Sequence, residues 1–340
     1  MKNLKKIGVF LLSAVMMTAS ADAFPVFAEE DNSRSVYLGG QPFGVKFYND
    51  GVIVVELESF FDGKGYVCPS KQGGLKVNDI IKSVNGVEIN SNEDLQKASK
   101  SSAGEKLKLE IERDGNSIEK TVVPKQNTAG VYLLGAWVKD SCAGIGTVTY
   151  YDSGQSYFAA LGHGICDNQT SALLPLKSAE VLGANISSVS KSVEGKPGSL
   201  NGFFTDNTLG NLTKNTPNGV FGKLSGKGFE NSEKIVLAEN DEIKTGKALI
   251  YTSIDSEGVK AFDAEITQLR NTDKNSNENF VIKVTDSELI DRCGGIVQGM
   301  SGSPIVQNGK IVGAVTHVFM NKPHEGYGVL IQNMVSNYKE

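Results

Sequence analysis

Short segments in which apolar and polar residues alternate dominate the chain. The clearest alternation covers residues 107–113, and it is followed by Asp114-Gly115 and a second alternating segment over 118–123. Alternation with a period of two is typical of strands with one buried face. An Asp-Gly pair between two such strands favours a tight turn. We therefore predict a β-hairpin at this point.

The same part of the chain contains one segment with helical character. Residues 92–99 follow Ser91, whose hydroxyl is suited to cap the first turn of a helix. Strands are predicted over 45–47 and 52–57. One short helix among short strands indicates a small β-rich domain, whose bounds we place at 36–127.

A polar stretch over 125–130 marks the boundary with a second region, 128–340. Short strands separated by Gly, Asn and Asp turns continue there, and their regular spacing favours an antiparallel sandwich or barrel over alternating strands and helices. The chain is therefore predicted to be mainly β, with a terminal helix over 330–338. Examples of the predicted strands are 146–151, 234–238 and 247–252.

The N-terminal residues have the pattern of a targeting segment. Three lysines within the first six residues precede an apolar run from Ile7 to Ala19, and small residues suited to cleavage follow. The run is shorter than the about 20 apolar residues that a membrane span needs. We expect residues 1–28 to be a signal peptide or a retained anchor near a membrane, and the protein to be exported.

Composition excludes several classes of partner and cofactor. A net charge of −5 gives no reason to expect nucleic acid as a partner. The four cysteines form no CxxC pair, which argues against a zinc site, and their irregular spacing favours free thiols over disulfides. We expect no cofactor and no metal. The cysteines are Cys68, Cys142, Cys166 and Cys293.

The most informative stretch places Ser301 in a glycine-framed turn, residues 299–302. Such a turn exposes a hydroxyl and aims backbone amides in one direction, so the amides of Gly299 and Ser301 are predicted to form an oxyanion hole. The turn leads into a hairpin rather than the helix that an α/β-hydrolase requires. Ser303 is a rival hydroxyl, disfavoured because Pro304 follows it directly.

A serine nucleophile needs a base, and the chain has only three histidines. His163, flanked by glycines, is the predicted base, while His317 is expected to line a pocket or the core and His324 to be solvated. Asp286 is the candidate that orients the imidazole, although it could instead cap the residues after it. Asp167, Asp206 and Asp263 remain alternatives, and Cys142 or Cys166 is an alternative nucleophile.

Residues 74–89 resemble the signature strip of PDZ domains. A second segment near the start resembles the loop whose amides hold the C-terminal carboxylate of a PDZ ligand. This resemblance implies capture of a peptide as an added strand beside that loop. The loop residues are Gln41, Pro42, Phe43, Gly44 and Val45.

Together, the segments 39–45, 160–165, 294–304 and 313–319 resemble the SpoIVB peptidase family of spore-forming bacteria. The resemblance implies a PDZ domain ahead of a chymotrypsin-like double β-barrel. It also implies a catalytic triad and a protein or peptide substrate. The triad would be Ser301, His163 and Asp286. By analogy with the similar hairpin of HtrA-type proteases, a specificity pocket is expected at Val315, Thr316 and His317.

The family also implies a biological setting. Its members act between the mother-cell and forespore membranes, cleave themselves near the N-terminus, and signal to an intramembrane-protease complex that activates a late sigma factor. The expected function is therefore site-specific serine proteolysis in sporulation signalling. The alternative is a non-catalytic adaptor that works through its PDZ domain.

Overall fold

The computed structural model describes residues 34–224, 229 and 232–339. The predicted signal peptide or anchor at 1–28 lies outside them. Within these ranges, no helix combines the length and apolar character needed to cross a membrane.

Strands and two helices make up the first part of the described chain. The Leu107–Arg113 and Asn116–Val122 strands form the predicted hairpin, with positive φ at both Asp114 (52°) and Gly115 (75°). Ser91 caps the predicted helix by accepting a hydrogen bond from the Asp94 amide at 3.1 Å. The elements are β1 (Ser35–Leu38), β2 (Pro42–Leu57), β3 (Phe60–Phe61), β4 (Tyr66–Val67), α1 (Pro69–Gln72), β5 (Ile80–Val84), β6 (Val87–Glu88), α2 (Asn92–Ser101), β7 (Leu107–Arg113), β8 (Asn116–Val122), β9 (Lys125–Gln126) and β10 (Tyr132–Leu133).

Longer strands follow in the second part. Their number and mostly antiparallel pairing confirm the prediction of a mainly β chain. The elements are β11 (Ala136–Asp152), β12 (Tyr157–Ala160), β13 (Leu176–Ser190), β14 (Ser199–Thr216), β15 (Gly219–Leu224), β16 (Lys234–Leu237), β17 (Gly246–Thr252), β18 (Lys260–Leu269), β19 (Phe280–Val284), α3 (Ser287–Cys293), β20 (Pro304–Gln307), β21 (Lys310–Phe319), β22 (Lys322–Leu330) and α4 (Ile331–Lys339).

The second part closes into two β-barrels. In the first, β2 pairs with β11, β11 with β12, β12 with β15, β15 with β14, β14 with β13, and β13 with β2. In the second, β21 pairs with β20, β20 with β17, β17 with β18, β18 with β19, β19 with β22, and β22 with β21. Closure leaves neither ring with a free edge. This architecture confirms the predicted double barrel.

The PDZ-like sheet shares two strands with the first barrel. β2 and β11 pair antiparallel along most of their length, from Leu57 opposite Ala136 to Pro42 opposite Thr147. The Val52 end of β2 also pairs with β5, whereas the Phe43 end pairs with β13. We call this pair of strands the ribbon. It joins the PDZ sheet and the first barrel, and the described residues form one compact unit.

Strand pairing crosses the predicted domain bounds of 36–127 and 128–340, which stay a prediction. β1 pairs with β11 and β16, and residues 42–49 form a strand of the first barrel, so the first described residues belong to the peptidase part. Conversely, residues 136–139 pair with the PDZ half of β2. This pairing could not be read from the sequence because polarity marks loops, whereas the two parts are joined here through strands.

Candidate active site

A cleft of about 1370 Å³ opens beside Ser301. Both barrels line it, and His163, Thr316 and His317 are among the lining residues. Its charged lining residues within the described chain are Lys139 and Asp167, which pair with each other at 2.7 Å. The predicted nucleophile and base therefore face the same space.

The turn that carries Ser301 is held by the first barrel as well as by the second. The Thr147 amide donates to the Ser301 carbonyl at 3.0 Å, and the Thr149 hydroxyl donates to the Gly302 carbonyl at 2.8 Å. Gly302 has φ of 94°, and a Cβ there would lie 2.0 Å from the Thr147 carbonyl oxygen. Only glycine fits this position, because the backbones approach so closely.

Two backbone amides in the turn are free to bind an anion. The amides of Gly299 and Ser301 donate no hydrogen bond to any other residue that the structure describes. The Gly299 carbonyl accepts from the Thr147 hydroxyl at 2.8 Å, which helps to fix the orientation of that part of the turn. Free, oriented amides next to a nucleophile can stabilise an oxyanion.

His163 is placed to act as a neutral base. Its Nδ1 lies 2.8 Å from the Gly164 carbonyl, which can only accept, so Nδ1 carries the proton and Nε2 is left as the acceptor. Its ring centroid lies 4.9 Å from that of His317. Burial, and then repulsion from His317, lower the pKa of His163 to about 4. The imidazole is therefore unprotonated at neutral pH.

A contact between the two barrels lies between the segments that carry Ser301 and His163. The Ser301 hydroxyl donates to the Thr316 carbonyl at 2.8 Å, and a Cβ on Gly162 would lie 3.0 Å from the Thr316 Cγ2. Gly162 directly precedes His163, and Thr316 directly precedes His317. In this structure the hydroxyl proton of Ser301 is directed to the Thr316 carbonyl.

Asp286 does not join this group. One of its carboxylate oxygens accepts from the Leu289 amide at 3.1 Å and caps α3, and the other accepts from the Asp263 amide at 3.2 Å. Asp286 is also absent from the cleft lining. The structure thus shows the capping contact of Asp286 and, among the described residues, no hydrogen bond from it to His163. Its role as the partner of His163 stays a prediction.

The alternative carboxylates do not bond to His163 either. Asp206 and Asp263 are exposed, whereas Asp167 is buried. Asp167 accepts from the amides of Gln169 and Thr170, both at 3.0 Å, besides its ion pair with Lys139. Although burial opposes ionisation, these partners lower the pKa of Asp167. It organises the loop after His163 without contacting the imidazole.

The rival nucleophiles are poorly suited to catalysis. Ser303 is fully buried, and its hydroxyl has no hydrogen-bond partner among the described residues. Cys142 and Cys166 line the cleft, but burial raises the pKa of both thiols, and the charge of Asp167 adds to this at Cys142. A raised pKa disfavours the thiolate, which is the reactive form. The four cysteines form no disulfides in the described chain.

Two predicted binding features need correction. Gln41 lies just before β2, and Pro42 to Val45 lie within it; Gly44 is opposite Ile145 on one side and Leu182 on the other. Phe43 is fully buried. A central strand uses its amides for sheet pairing, so this segment cannot hold a carboxylate. Val315 is also buried in the core, and only Thr316 and His317 of the predicted pocket line the cleft.

The residues that support the site were not identifiable from sequence. Thr147 and Thr149 belong to an alternating strand, and alternation shows which face a residue occupies but not which turn it contacts. Lys139 and Asp167 lie too far apart in the chain for their charges to suggest a pair. Asp167 is one of the three carboxylates that the sequence leaves open as alternatives to Asp286.

Comparison with known proteins identifies the family. The SpoIVB peptidase family, S55, matches residues 130–335, more than half of the chain, and the PDZ domain family matches residues 43–123.

Similar solved structures include the PDZ domain of an SdrC-like protein from Listeria monocytogenes, with 19% identity, 26% of this chain and 87% of that chain covered, and a TM-score of 0.22. The HtrA-type protease AlgW with a tripeptide has 16% identity, coverage of 58% and 55%, and a TM-score of 0.36. The Rv3671c protease from M. tuberculosis in its active form has 14% identity, coverage of 58% and 74%, and a TM-score of 0.33. This chain thus spans about half the length of AlgW.

The family match agrees with a cleft in which a serine, a neutral imidazole and two free amides lie on paired barrels. The chain therefore belongs to the SpoIVB peptidase family S55 and is a serine endopeptidase that carries a PDZ domain.

Proposed function

We propose that this protein performs limited, site-specific proteolysis with Ser301 as nucleophile and His163 as base. The observation that carries the proposal is the meeting of both residues in one cleft, next to the unpaired amides of Gly299 and Ser301. The described residues contain no cluster of His, Cys, Asp or Glu that could hold a metal ion.

The geometry supports a familiar order of steps. After the Ser301 hydroxyl turns away from Thr316, His163 Nε2 accepts its proton while the oxygen attacks the peptide carbonyl. The amides of Gly299 and Ser301 stabilise the oxyanion. The imidazolium then returns the proton to the leaving amine, and water completes hydrolysis of the acyl-enzyme. The Gly164 carbonyl, rather than a carboxylate, holds the tautomer of His163.

Substitution of the nucleophile tests the proposal. Ser301→Ala should reduce cleavage by about 10⁶-fold, because removing the nucleophile of such a group usually has this effect. Ser303→Ala is the matched control: it removes a buried, unpaired hydroxyl two residues away and should leave cleavage intact. Full cleavage by Ser301→Ala, or loss of cleavage only in Ser303→Ala, would reject the assignment. Binding without cleavage by the wild type would favour the adaptor.

The family membership supports an exported protein with a role in sporulation signalling and in cleavage of its own N-terminal part. Incubation of the purified full chain, followed by sequencing of new N-termini, tests self-cleavage. New termini should form with the wild type and not with Ser301→Ala. Secretion of a fusion to residues 1–28 tests export, and a processed N-terminus would distinguish a signal peptide from an anchor.

Peptide capture by the PDZ domain is proposed between β11 and α2. Residues 136–139 have a strand partner, β2, on one side only, and α2 lies alongside: Ser99 donates to the Tyr132 carbonyl at 2.9 Å, and the Asn92 amide donates to Asp140 at 2.9 Å. An open strand edge can accept a peptide as an added strand. NMR titration with a peptide that has a free carboxyl terminus should shift the resonances of 136–140 and α2, and not those of 41–45.

A further inference from the structure

The cleft beside Ser301 has two walls. One is the segment 296–299, whose backbone is held by a bond from the Ile296 amide to the Pro323 carbonyl and one from the Leu200 amide to the Gln298 carbonyl, both 2.8 Å. The other is 316–318 at the end of β21. Because the first wall is hydrogen-bonded to neighbouring segments, the position of this wall is set before substrate binds.

The Ile296 side chain closes the space between these walls. Ile296 lines the cleft although only 2% of its surface is exposed. Its Cδ1 lies 2.8 Å from the position that a Cβ on Gly326 would occupy, so the side chain extends across to β22. Val318 is half-buried against the same core on the opposite wall. The space between the two walls, which we call the recess, therefore has an apolar side chain on each side.

No charge is available within this recess. The only charged residues among those that line the cleft in the described chain are Lys139 and Asp167, and they neutralise each other. The polar side chain on the first wall is that of Gln298, and His317 on the second wall has a pKa lowered by burial. A charged substrate group entering here would lose its hydration without gaining a partner, which is costly.

We propose that this recess receives the side chain of the residue that precedes the scissile bond, and that Ile296 restricts this residue to small aliphatic types such as Ala and Val. The reacting carbonyl carbon must lie about 3 Å from Ser301 Oγ, with its oxygen at the amides of Gly299 and Ser301. The attached side chain then falls between the two walls. A ring would overlap Ile296, and an ionised group would be unpaired. This inference rests on the proposed proteolytic function.

Peptide cleavage by the full chain tests the recess. A peptide library that varies the residue before the cut is incubated with the wild type, and cut sites are read by mass spectrometry. Cleavage should follow Ala or Val, and peptides with Lys, Arg, Asp or Glu at that place should remain uncut. Ile296→Ala should raise kcat/KM for Leu or Phe relative to Ala by at least tenfold, within the about 10- to 200-fold that added methylenes supply in such pockets.

Two further variants keep the test decisive. Ile296→Val removes a single methylene and should shift the same ratio in the same direction by a smaller factor, even if Ile296→Ala folds poorly. Ile266→Ala is the matched control, because Ile266 is fully buried in the same core but does not line the cleft. Its ratio should equal that of the wild type.

The outcomes separate the two proposals. Cleavage after charged residues at the rate seen after Ala, or an unchanged ratio in both Ile296 variants, would overturn the recess while leaving the protease assignment intact. Failure of the wild type to cut any peptide, with no difference from Ser301→Ala, would overturn the proposed function and the recess with it.

Discussion

The nucleophile side and the base side of the cleft are built in different ways. The turn of Ser301 receives bonds from Thr147 and Thr149 across the barrel interface, and its close backbone contacts require glycine at 302. His163 has one ring hydrogen bond, to the carbonyl of the next residue. The loop after it is held by Asp167, which is anchored to Lys139 on the ribbon.

This difference separates two tasks. Several hydrogen bonds and close backbone contacts hold the turn of Ser301 and fix the amides of Gly299 and Ser301. The position of His163 instead depends on the loop that follows it, and this loop is held by Lys139, on a strand shared with the PDZ sheet. Lys139 is opposite Ile53, at the point where the ribbon passes from one domain to the other. The comparison therefore predicts that changes on the nucleophile side affect stability and activity together, and that changes on the base side affect mainly activity.

The largest effect is expected for Gly302→Ala. A Cβ at this position would meet the Thr147 carbonyl oxygen at 2.0 Å and the Leu161 amide at 2.4 Å, so the backbone must move. We expect loss of cleavage and a decrease in the free energy of unfolding of about 3 kcal/mol or more. Urea unfolding and peptide cleavage measure both.

Gly309→Ala is the control for Gly302→Ala. Gly309 also has positive φ, 75°, but no atom lies within 4 Å of the position that a Cβ would occupy there. Only the cost of a left-handed residue, about 1–2 kcal/mol, should appear, with cleavage retained. Equal destabilisation by the two substitutions would show that steric crowding at 302 is unimportant.

The next largest effect is expected for Asp167→Asn. Asparagine can still accept from Gln169 and Thr170, but it lacks the charge that pairs with Lys139. We expect kcat to fall by about 10²-fold with little change in KM, because a small displacement of a catalytic group has this effect. Steady-state kinetics measure the split between the two constants.

Lys139→Met and the double variant complete a mutant cycle with Asp167→Asn. If the ion pair between Lys139 and Asp167 holds the loop, the double variant should lose less kcat than the sum of the two single variants predicts. Wild-type kcat in Asp167→Asn, or additive losses in the cycle, would remove the proposed difference between the two sides of the cleft.

A smaller effect is expected in the pH profile. The pKa of His163 is lowered to about 4, so the base stays neutral as pH falls from 7 to about 5. Activity that depends on the neutral imidazole should therefore be lost only near pH 4, and not near 6.5 as for an ordinary histidine. His317→Ala removes one cause of the lowered pKa of His163, so the loss of activity should occur at a higher pH in this variant. Loss of wild-type activity near pH 6.5 would contradict the buried placement of His163.

The smallest effect is expected for Asp286→Asn. Asparagine caps helices about as well as aspartate, so stability and cleavage should remain close to those of the wild type. If Asp286 oriented His163, the same change would reduce kcat by about 10⁴-fold. Asp286→Ala, which removes the cap, should cost about 1 kcal/mol in unfolding free energy. Cleavage assays and urea unfolding on the two variants separate these interpretations.

Local patterns accounted for the elements of the fold and for one half of the site. The 107–122 hairpin, the Ser91 cap and the glycine-framed turn depend on neighbouring residues, whose φ angles and hydrogen bonds are set within a few positions. The identification of Ser301 needed no more than this. The mistaken assignment of 41–45 arose because a glycine-containing segment has the same local pattern in a loop and in a central strand.

Long-range pairing decided the rest. The amino-acid sequence by itself determined a mainly β, two-part chain, its glycine-framed turn at Ser301 and its short list of histidines, because alternation, turn residues and rare histidines are local properties. Only the tertiary structure decided that one ribbon serves both domains, that Asp286 caps a helix, that Lys139 holds Asp167, and that Ile296 closes the recess. These facts depend on which strands lie side by side, and that is a property of barrel closure rather than of any segment alone.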